Sequence, residues 1–142
     1  PFEIWEQERG RAKEMIRKDG IFRAFGGDID PEAIRLTLEN AGKAGVGDSV
    51  SASVRDLGTF VPEGENGVVL CNPPYGERLL DLRSAEELYR TMGRVFQPKK
   101  GWTYAIISPH ENFETLFGRK ADKRRKLYNG MLKCQLYLYY RH

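Results

Sequence analysis

Cysteine and histidine are scarce in this sequence of 142 residues, which contains two of each. Cys71 and Cys134 lie far apart and form no C-x-x-C pair, so we expect neither a disulfide framework nor a zinc site. Unpaired thiols are usual in a reducing cytoplasm, which is the compartment we expect. No apolar run approaches the roughly 20 residues that a membrane-spanning helix needs, and the first residues do not resemble a signal peptide.

The composition is that of an ordinary globular domain. Hydrophobic residues make up 40% and charged residues 30% of the chain, which argues against disorder. The net charge is only +3, but residues 119–126 read RKADKRRK and alone carry +5. Such a concentrated basic stretch suits a phosphate backbone, and a solvated surface is the alternative.

Signals for strand and helix alternate along the chain. The predicted strands are residues 21–26, leading to Gly27-Asp28, and residues 50–54, 68–71 and 102–108. Residues 68–71 read VVLC, a continuous apolar run that predicts a strand buried on both faces. The predicted helices are residues 2–18 (better formed from Arg9 onwards), 31–42, 85–96 and 111–117.

Two of these elements have recognisable ends. Asp30 is the expected N-cap of the second helix and Pro31 its first residue, and glycines 42 and 45 end it. We expect the buried side of that helix to consist of Ile34, Leu36, Leu38 and Ala41. Near the end of the chain, Asn129-Gly130 predicts a two-residue hairpin turn between two strands. The apolar face expected for the second of these strands is Leu132, Leu136, Leu138 and Tyr140.

This order of elements predicts an α/β fold, a doubly wound Rossmann-like sheet that ends in an antiparallel hairpin. In such sheets ligands bind at the carboxyl ends of the parallel strands. Polar residues follow four predicted strands at this position: Asp28, Asp56, Asn72 and, after Pro109, His110.

Asn72-Pro73-Pro74-Tyr75 follows the apolar run directly and suits methylation of a planar amino group. Such a nitrogen is a poor nucleophile because its lone pair is delocalised. The Asn72 side-chain oxygen and the Pro73 carbonyl could accept both N–H bonds and aim the lone pair at an electrophile. The two prolines stiffen the turn, and Tyr75 offers a flat face for an extruded base. A rigid turn that merely ends the strand is the alternative.

The strand-end aspartates suggest a nucleotide cofactor. Asp28 could accept hydrogen bonds from ribose hydroxyls, with Ile29 against an adenine face, whereas a second capping aspartate is the alternative. Asp56 could accept from the adenine amino group or be a simple loop residue. For His110 we favour a solvated loop histidine over a catalytic one.

The segments GGDIDPEAI, SVSASVRDL and VVLCNPPYGERL resemble, in this order, three motifs of class I S-adenosylmethionine-dependent methyltransferases. The finer resemblance, which includes the tail KLYNGMLKCQLYLY, is to the THUMP-associated RNA methylases, among them the bacterial 23S rRNA guanine-N2 methyltransferases. This resemblance implies that Asp28 and Ile29 hold the cofactor, that Asp56 and Leu57 edge its adenine, and that Asn72 also adjoins it. Asn72, Pro73 and Tyr75 would receive the target base.

One motif of that family is missing. No glycine-rich G-x-G loop is present, and the family pattern places it before Pro1 on a central strand between those ending at Asp28 and Asn72. We therefore expect residues 1–142 to be part of one methyltransferase catalytic domain that neither folds well nor binds cofactor tightly alone, because two strand edges would lack partners. The THUMP-type domain that captures RNA would also lie upstream.

The leading hypothesis is an S-adenosylmethionine-dependent RNA methyltransferase acting on guanine N2 of 23S rRNA, without a metal. The expected RNA contacts are Arg78, Arg119, Lys123, Arg124 and Arg125. The motif at residues 72–75 is shared by DNA adenine-amino and protein glutamine-amide methyltransferases, which are therefore alternatives. A non-catalytic RNA-binding fragment is a further alternative.

Overall fold

The computed structural model describes residues 2–16, 22–76 and 79–140, with the side chains of residues 79 and 80 left out. The chain forms two compact units, Pro1–Val54 and Arg55–His142. In the described part of the chain, no helix is long and apolar enough to cross a membrane. Cys71 and Cys134 are free thiols.

The first unit is built around a parallel strand pair. Its elements are helix α1 (Phe2–Glu14), strand β1 (Ala24–Asp28), helix α2 (Pro31–Lys43), a 3-10 turn (Gly47–Ser49) and strand β2 (Val50–Val54). β1 and β2 are parallel, with Ala24 opposite Val50 and Asp28 opposite Val54. Asp30 caps α2 as predicted, because its carboxylate accepts a hydrogen bond from the amide of Glu32 at 2.9 Å.

Three predictions for this unit need correction. Helix α1 is formed from Phe2 and ends at Glu14, so its first half is as regular as its second, and residues 17 and 18 lie outside the described part. Residues 22 and 23 are not strand, so β1 begins later than predicted, and residue 21 is not described. In α2, Ile34 and Ala41 are buried, but Leu36 and Leu38 are each 43% exposed. Leu36 is two residues from Ile34 and therefore lies on the opposite side of the helix.

The second unit contains a four-stranded mixed sheet. Its elements are a 3-10 turn (Leu57–Thr59), β3 (Gly67–Cys71), α3 (Leu79–Val95), β4 (Trp102–Ser108), α4 (Phe113–Phe117), β5 (Lys123–Asn129) and β6 (Leu132–Tyr139). The strand order is β3-β4-β6-β5. β3 and β4 are parallel, whereas β6 is antiparallel to both β4 and β5. The predicted α/β sheet with a closing antiparallel hairpin is confirmed.

Helices α3 and α4 cover one face of this sheet. Ala85, Tyr89 and Met92 recur at helical spacing and form the buried stripe of α3, which Phe96 continues just after the helix ends. Aromatic rings form the contact between α4 and β6: Phe113 stacks on Tyr137 with centroids 4.5 Å apart, and Phe117 on Tyr139 at 4.6 Å.

The opposite face of the sheet is more exposed than the sequence predicted. Val68 is 66% and Leu70 80% exposed, so the described residues bury β3 on one face only, whereas the sequence predicted burial on both. The helices α3 and α4 cover the face that carries Val69 and Cys71, and successive side chains of a strand point to opposite faces.

The apolar face predicted for β6 is only partly buried, because Leu136 and Leu138 are half-buried. The buried residues of β6 are Cys134, Tyr137 and Tyr139, whereas Leu132 and Tyr140 are exposed.

The hairpin turn differs from the prediction by one residue. Asn129 pairs with Leu132, so the two residues of the turn are Gly130 and Met131. Gly130 has a φ of 60°, the left-handed conformation that a tight hairpin with glycine at its first position requires. Asn129 is therefore the last residue of β5, and its side chain is available for contacts outside the turn.

Candidate functional site

Asn72-Pro73-Pro74-Tyr75, hereafter the NPPY loop, leaves the carboxyl end of β3 beside the carboxyl end of its parallel neighbour β4. Asn72 is exposed, Pro73 is buried and Tyr75 is half-buried. The loop thus presents the polar Asn72 while the first proline anchors it. This is the position at which α/β sheets bind ligands.

A chain of hydrogen bonds supports the loop from behind. The Tyr89 hydroxyl of α3 donates to the Pro74 carbonyl oxygen at 3.1 Å. Ser108, the fully buried last residue of β4, donates to the Tyr89 hydroxyl at 3.2 Å and accepts from the His110 amide at 3.1 Å. The end of β4 and helix α3 therefore fix the loop in place before any substrate binds.

The Tyr75 hydroxyl connects two asparagines. It donates to Asn72 Oδ1 at 2.6 Å, and it accepts from Asn129 Nδ2 at 3.3 Å. Burial raises the pKa of the Tyr75 hydroxyl, so this group keeps its proton at neutral pH. The sequence did not predict that Asn129 contacts Tyr75. Asn129 precedes glycine, and this pair was interpreted only as a turn signal.

Gly76 lets the loop pass close to helix α3. Its φ is 70°, and a Cβ at this position would lie 2.5 Å from the Cα of Leu82 and 2.9 Å from the carbonyl oxygen of Asp81. A cleft of about 420 Å³ adjoins this contact. Pro74, Gly76, Asp81, Ser84, Ala85 and Leu88 line the cleft.

The sequence led us to expect a solvated histidine at position 110, but the His110 side chain is largely buried. Its side chain is 13% exposed, and its Nδ1 accepts a hydrogen bond from the Asn112 amide at 3.1 Å. Its Nε2 lies 3.5 Å from a carboxylate oxygen of Glu86, on helix α3. Both ring nitrogens therefore join the end of β4 to neighbouring elements, which is a structural role.

Cys71 immediately precedes the NPPY loop but is not an activated nucleophile. Burial raises the pKa of its thiol to about 11, so the thiol stays protonated at neutral pH. Covalent chemistry through this residue is therefore disfavoured, and the direct attack by a target nitrogen inferred from the sequence needs no such group.

In the first unit, Asp28 is the last residue of β1 and is exposed, and one of its carboxylate oxygens accepts from the Asp30 amide at 2.9 Å. Ile29 is 71% exposed. An exposed apolar side chain next to a fixed carboxylate suits an adenosine group, since the carboxylate can accept ribose hydroxyls while the isoleucine faces the base.

In the second unit, Asp56 caps the short turn that follows β2. Its Oδ1 accepts from the Gly58 amide at 2.6 Å, and Leu57 packs against the aromatic core. Asp56 is exposed and its carboxylate has a second oxygen that could receive a ligand. The hydrogen bond to Gly58 is what we expect of a simple loop aspartate, which was one of the two alternatives for Asp56.

The basic residues separate into two groups. Arg119 donates to the Phe96 carbonyl oxygen and lies over the rings of Phe117 and Tyr139, and Arg124 forms an ion pair with Glu114 at 2.9 Å. These two arginines join the hairpin to the helices. Lys123 and Arg125 are exposed on β5. Arg78 lies outside the described residues.

No group of three or more potential metal ligands occurs among the residues that the structure describes. The polar side chains at the strand ends are amides, hydroxyls and single carboxylates. This set suits hydrogen bonding to a nucleoside or a base amine.

The parallel strands, the polar strand ends and the closing hairpin define an α/β fold of the methyltransferase type. The family model described as RMKL-like, methyltransferase domain, matches residues 3–138, and the chain belongs to this family.

Curated relatives share more than a third of their aligned residues with the chain. It is 37% identical over 138 residues to "Putative RNA methyltransferase YpsC" of Bacillus subtilis (strain 168), covering 97% of this chain and 36% of YpsC. It is 35% identical over 135 residues to "Ribosomal RNA large subunit methyltransferase K/L" of Legionella pneumophila subsp. pneumophila (strain Philadelphia 1), covering 94% of this chain and 19% of that protein. The chain thus spans well under half the length of these relatives.

Solved structures share the fold closely. The structure of "SMU.472, a putative methyltransferase complexed with SAH" matches with a TM-score of 0.85 and 41% identity, covering 95% of this chain and 36% of the other. A "predicted N6-adenine-specific DNA methylase" from Listeria monocytogenes matches with a TM-score of 0.83 and 38% identity, covering 99% and 36%.

Proposed function

We propose that the protein containing this chain methylates an exocyclic amino group of an RNA base, with guanine N2 of 23S rRNA as the target. The observation that carries this proposal is the NPPY loop, whose acceptor residue Asn72 is exposed at the end of β3 and held by Tyr75. The RNA substrate is supported by the names of YpsC and the K/L methyltransferase, and guanine N2 by the family resemblance of the tail.

The chain's own residues can prepare the target nitrogen for attack. Asn72 Oδ1 accepts one N–H of the amine and the Pro73 carbonyl oxygen accepts the other, which localises the nitrogen lone pair. The Tyr75 ring stacks on the extruded base. When bound, S-adenosylmethionine would supply an electrophilic methyl group to this nitrogen, whose two N–H bonds Asn72 and Pro73 would hold, and the methylated amine would lose one proton.

The proposed cofactor contacts are the residues that the family resemblance indicates. Asp28 and Ile29 would hold the ribose and one face of the adenine, and Asp56 with Leu57 would edge the adenine. Asn72 also adjoins the methyl donor in this proposal. The complex of SMU.472 with SAH, the demethylated product of S-adenosylmethionine, supports the choice of cofactor.

We also propose that residues 1–142 are part of a larger catalytic domain. In the described part, β1 pairs only with β2, and β3 pairs only with β4. Phe25 on β1 and Leu70 on β3 are each 80% exposed. A further parallel strand with a glycine-rich loop would belong to that larger domain, and a THUMP-type domain elsewhere would capture RNA. The free thiols of Cys71 and Cys134 fit a cytoplasmic protein.

Methyl transfer distinguishes this function from its alternatives. The full-length protein is incubated with methyl-labelled S-adenosylmethionine and, separately, with rRNA from cells lacking the gene, with DNA, and with a release factor. We expect label in rRNA, recovered after digestion as N2-methylguanosine, and little label in rRNA from wild-type cells. Label confined to DNA or to protein contradicts the RNA assignment. Absence of transfer to every substrate favours a non-catalytic RNA-binding protein.

The hairpin provides the RNA contact that we expect to be sensitive to salt. Lys123 and Arg125 are opposite Leu138 and Leu136, so they share one face of the sheet, whereas Arg124 is opposite Tyr137 on the face covered by α4. Lys123 and Arg125 are therefore the exposed cations best placed to meet phosphates, with Arg119 and Arg124 positioning the strand that carries them.

The double variant Lys123→Ala/Arg125→Ala is expected to bind rRNA about tenfold more weakly at low salt. It should also flatten the slope of log affinity against log salt by about 1–2. With fewer phosphate contacts, RNA binding releases fewer counterions, and its affinity depends less on salt. Fluorescence titration of the full-length protein at several salt concentrations measures both effects. Arg11→Ala/Lys13→Ala in α1 removes the same charge and should leave the slope unchanged. Equal effects of the two double variants would indicate that only net charge matters.

A further inference from the structure

The last residue of β5 contacts the NPPY loop. Asn129 Nδ2 donates to the Tyr75 hydroxyl at 3.3 Å, and the Tyr75 hydroxyl donates to Asn72 Oδ1 at 2.6 Å. These three side chains form a line of hydrogen bonds that begins on the hairpin and ends on the oxygen that would accept the target amine. Asn129 and Tyr75 are 54 positions apart, so the fold creates this line.

The direction of the hydrogen bonds is fixed by the chemistry of the three groups. The amide nitrogen of Asn129 can only donate, so the Tyr75 oxygen must accept from it. The single hydroxyl proton of Tyr75 is then directed to Asn72. A carbonyl oxygen has two lone pairs, so Asn72 Oδ1 can accept from Tyr75 and from a target N–H at the same time. If the Asn72 amide rotated by half a turn, its NH2 group would face the amine and repel it.

The hairpin fixes the position of Asn129, the first donor in this series of hydrogen bonds. Asn129 pairs with Leu132 across the tight turn in which Gly130 has a φ of 60°, so its backbone has little freedom.

We propose that Asn129 is a positioning residue for methyl transfer, which orients the acceptor oxygen of Asn72 through the Tyr75 hydroxyl. Asn129 thereby joins the hairpin to the NPPY loop. RNA bound along β5 would contact the strand that also orients the Asn72 oxygen. This inference rests on the proposed function and adds a residue to its site.

Steady-state kinetics of the full-length protein with rRNA provide the first test. Asn129→Ala should lower kcat about tenfold, with the KM values for RNA and cofactor changed less than about twofold. Asn129→Asp has nearly the same shape but cannot donate, and its carboxylate draws the Tyr75 proton away from Asn72, so kcat should fall at least as far. Met131→Ala changes a fully exposed residue of the same turn and should leave kcat unchanged. A normal kcat for Asn129→Asp would overturn the proposal.

A double variant tests whether Asn129 acts through Tyr75. If it does, Tyr75→Phe/Asn129→Ala should be no slower than Tyr75→Phe alone, because the hydroxyl is already gone. Losses that multiply would show that Asn129 acts by another route and would overturn the proposal.

A spectroscopic test does not depend on activity. With tyrosine labelled at its ζ carbon with 13C, the Tyr75 signal is assigned by its loss in Tyr75→Phe. We expect it to shift in Asn129→Ala and Asn129→Asp but not in Met131→Ala. An unmoved signal contradicts the contact. A shifted signal in a protein that transfers no methyl group to RNA contradicts only the proposed function.

Discussion

Asn72→Ala should reduce methyl transfer to rRNA by about a hundredfold to a thousandfold. The substitution removes one of the two acceptors that localise the lone pair of the target nitrogen, and a single preorganised polar group at a reacting centre contributes about 10²–10³ in rate. It also removes the acceptor of the Tyr75 hydroxyl, whose hydrogen bond to Asn72 is 2.6 Å long. Single-turnover transfer of labelled methyl with saturating full-length protein measures this loss independently of RNA binding.

RNA affinity should change less than about threefold in this variant, because Asn72 is one exposed side chain and the phosphate contacts are elsewhere. Asn72→Asp keeps an acceptor oxygen at the same place and should retain more activity than Asn72→Ala. Asn40→Ala makes the same chemical change at an exposed position of α2 and should transfer methyl normally. Transfer by Asn72→Ala within tenfold of the unchanged protein would show that Asn72 is not the acceptor.

The features predicted well from the sequence are those that local chemistry determines. β2 and β4 have the predicted bounds, Val50–Val54 and Trp102–Ser108, because an alternating segment is followed there by Arg55 and a largely apolar one by Pro109. Asp30 caps α2 because an aspartate before proline satisfies a free amide of the first turn. The position of Asn72 at a strand end followed from the same reasoning.

The features missed depend on which elements lie against each other. An apolar run such as residues 68–71 shows that a strand is suited to burial, but the pattern does not show which elements cover it. Within the described residues α3 and α4 cover one face of β3, and Leu70 on the other face is 80% exposed. The Tyr75–Asn129 contact joins residues 54 positions apart, so no local pattern contains it. The contacts of Arg119 with Phe96 and of His110 with Glu86 also join residues far apart in the sequence, so no local pattern predicts them.

Gly93 gives the clearest case in which packing reverses a local preference. It lies inside helix α3, where alanine is favoured over glycine by about 1 kcal/mol. However, a Cβ at Gly93 would overlap the carbonyl oxygen of Phe117 and lie 2.8 Å from its carbonyl carbon. This carbonyl belongs to the backbone of α4, so the overlap cannot be relieved by rotation of a side chain. The two helices would have to separate.

Gly93→Ala should therefore destabilise the protein by about 2–3 kcal/mol in spite of the better helix propensity, because overpacking a tight contact costs more than the propensity returns. Thermal unfolding of the full-length protein should show a Tm lower by several degrees. Gly10→Ala in α1 is the matched control: a Cβ there meets nothing within 4 Å, so the same substitution should leave Tm unchanged or raise it slightly. An equal response at both positions would mean that α3 and α4 are not in close contact.

Because α3 carries Tyr89, whose hydroxyl donates to the Pro74 carbonyl oxygen, separation of the helices should also slow methyl transfer below the unfolding temperature.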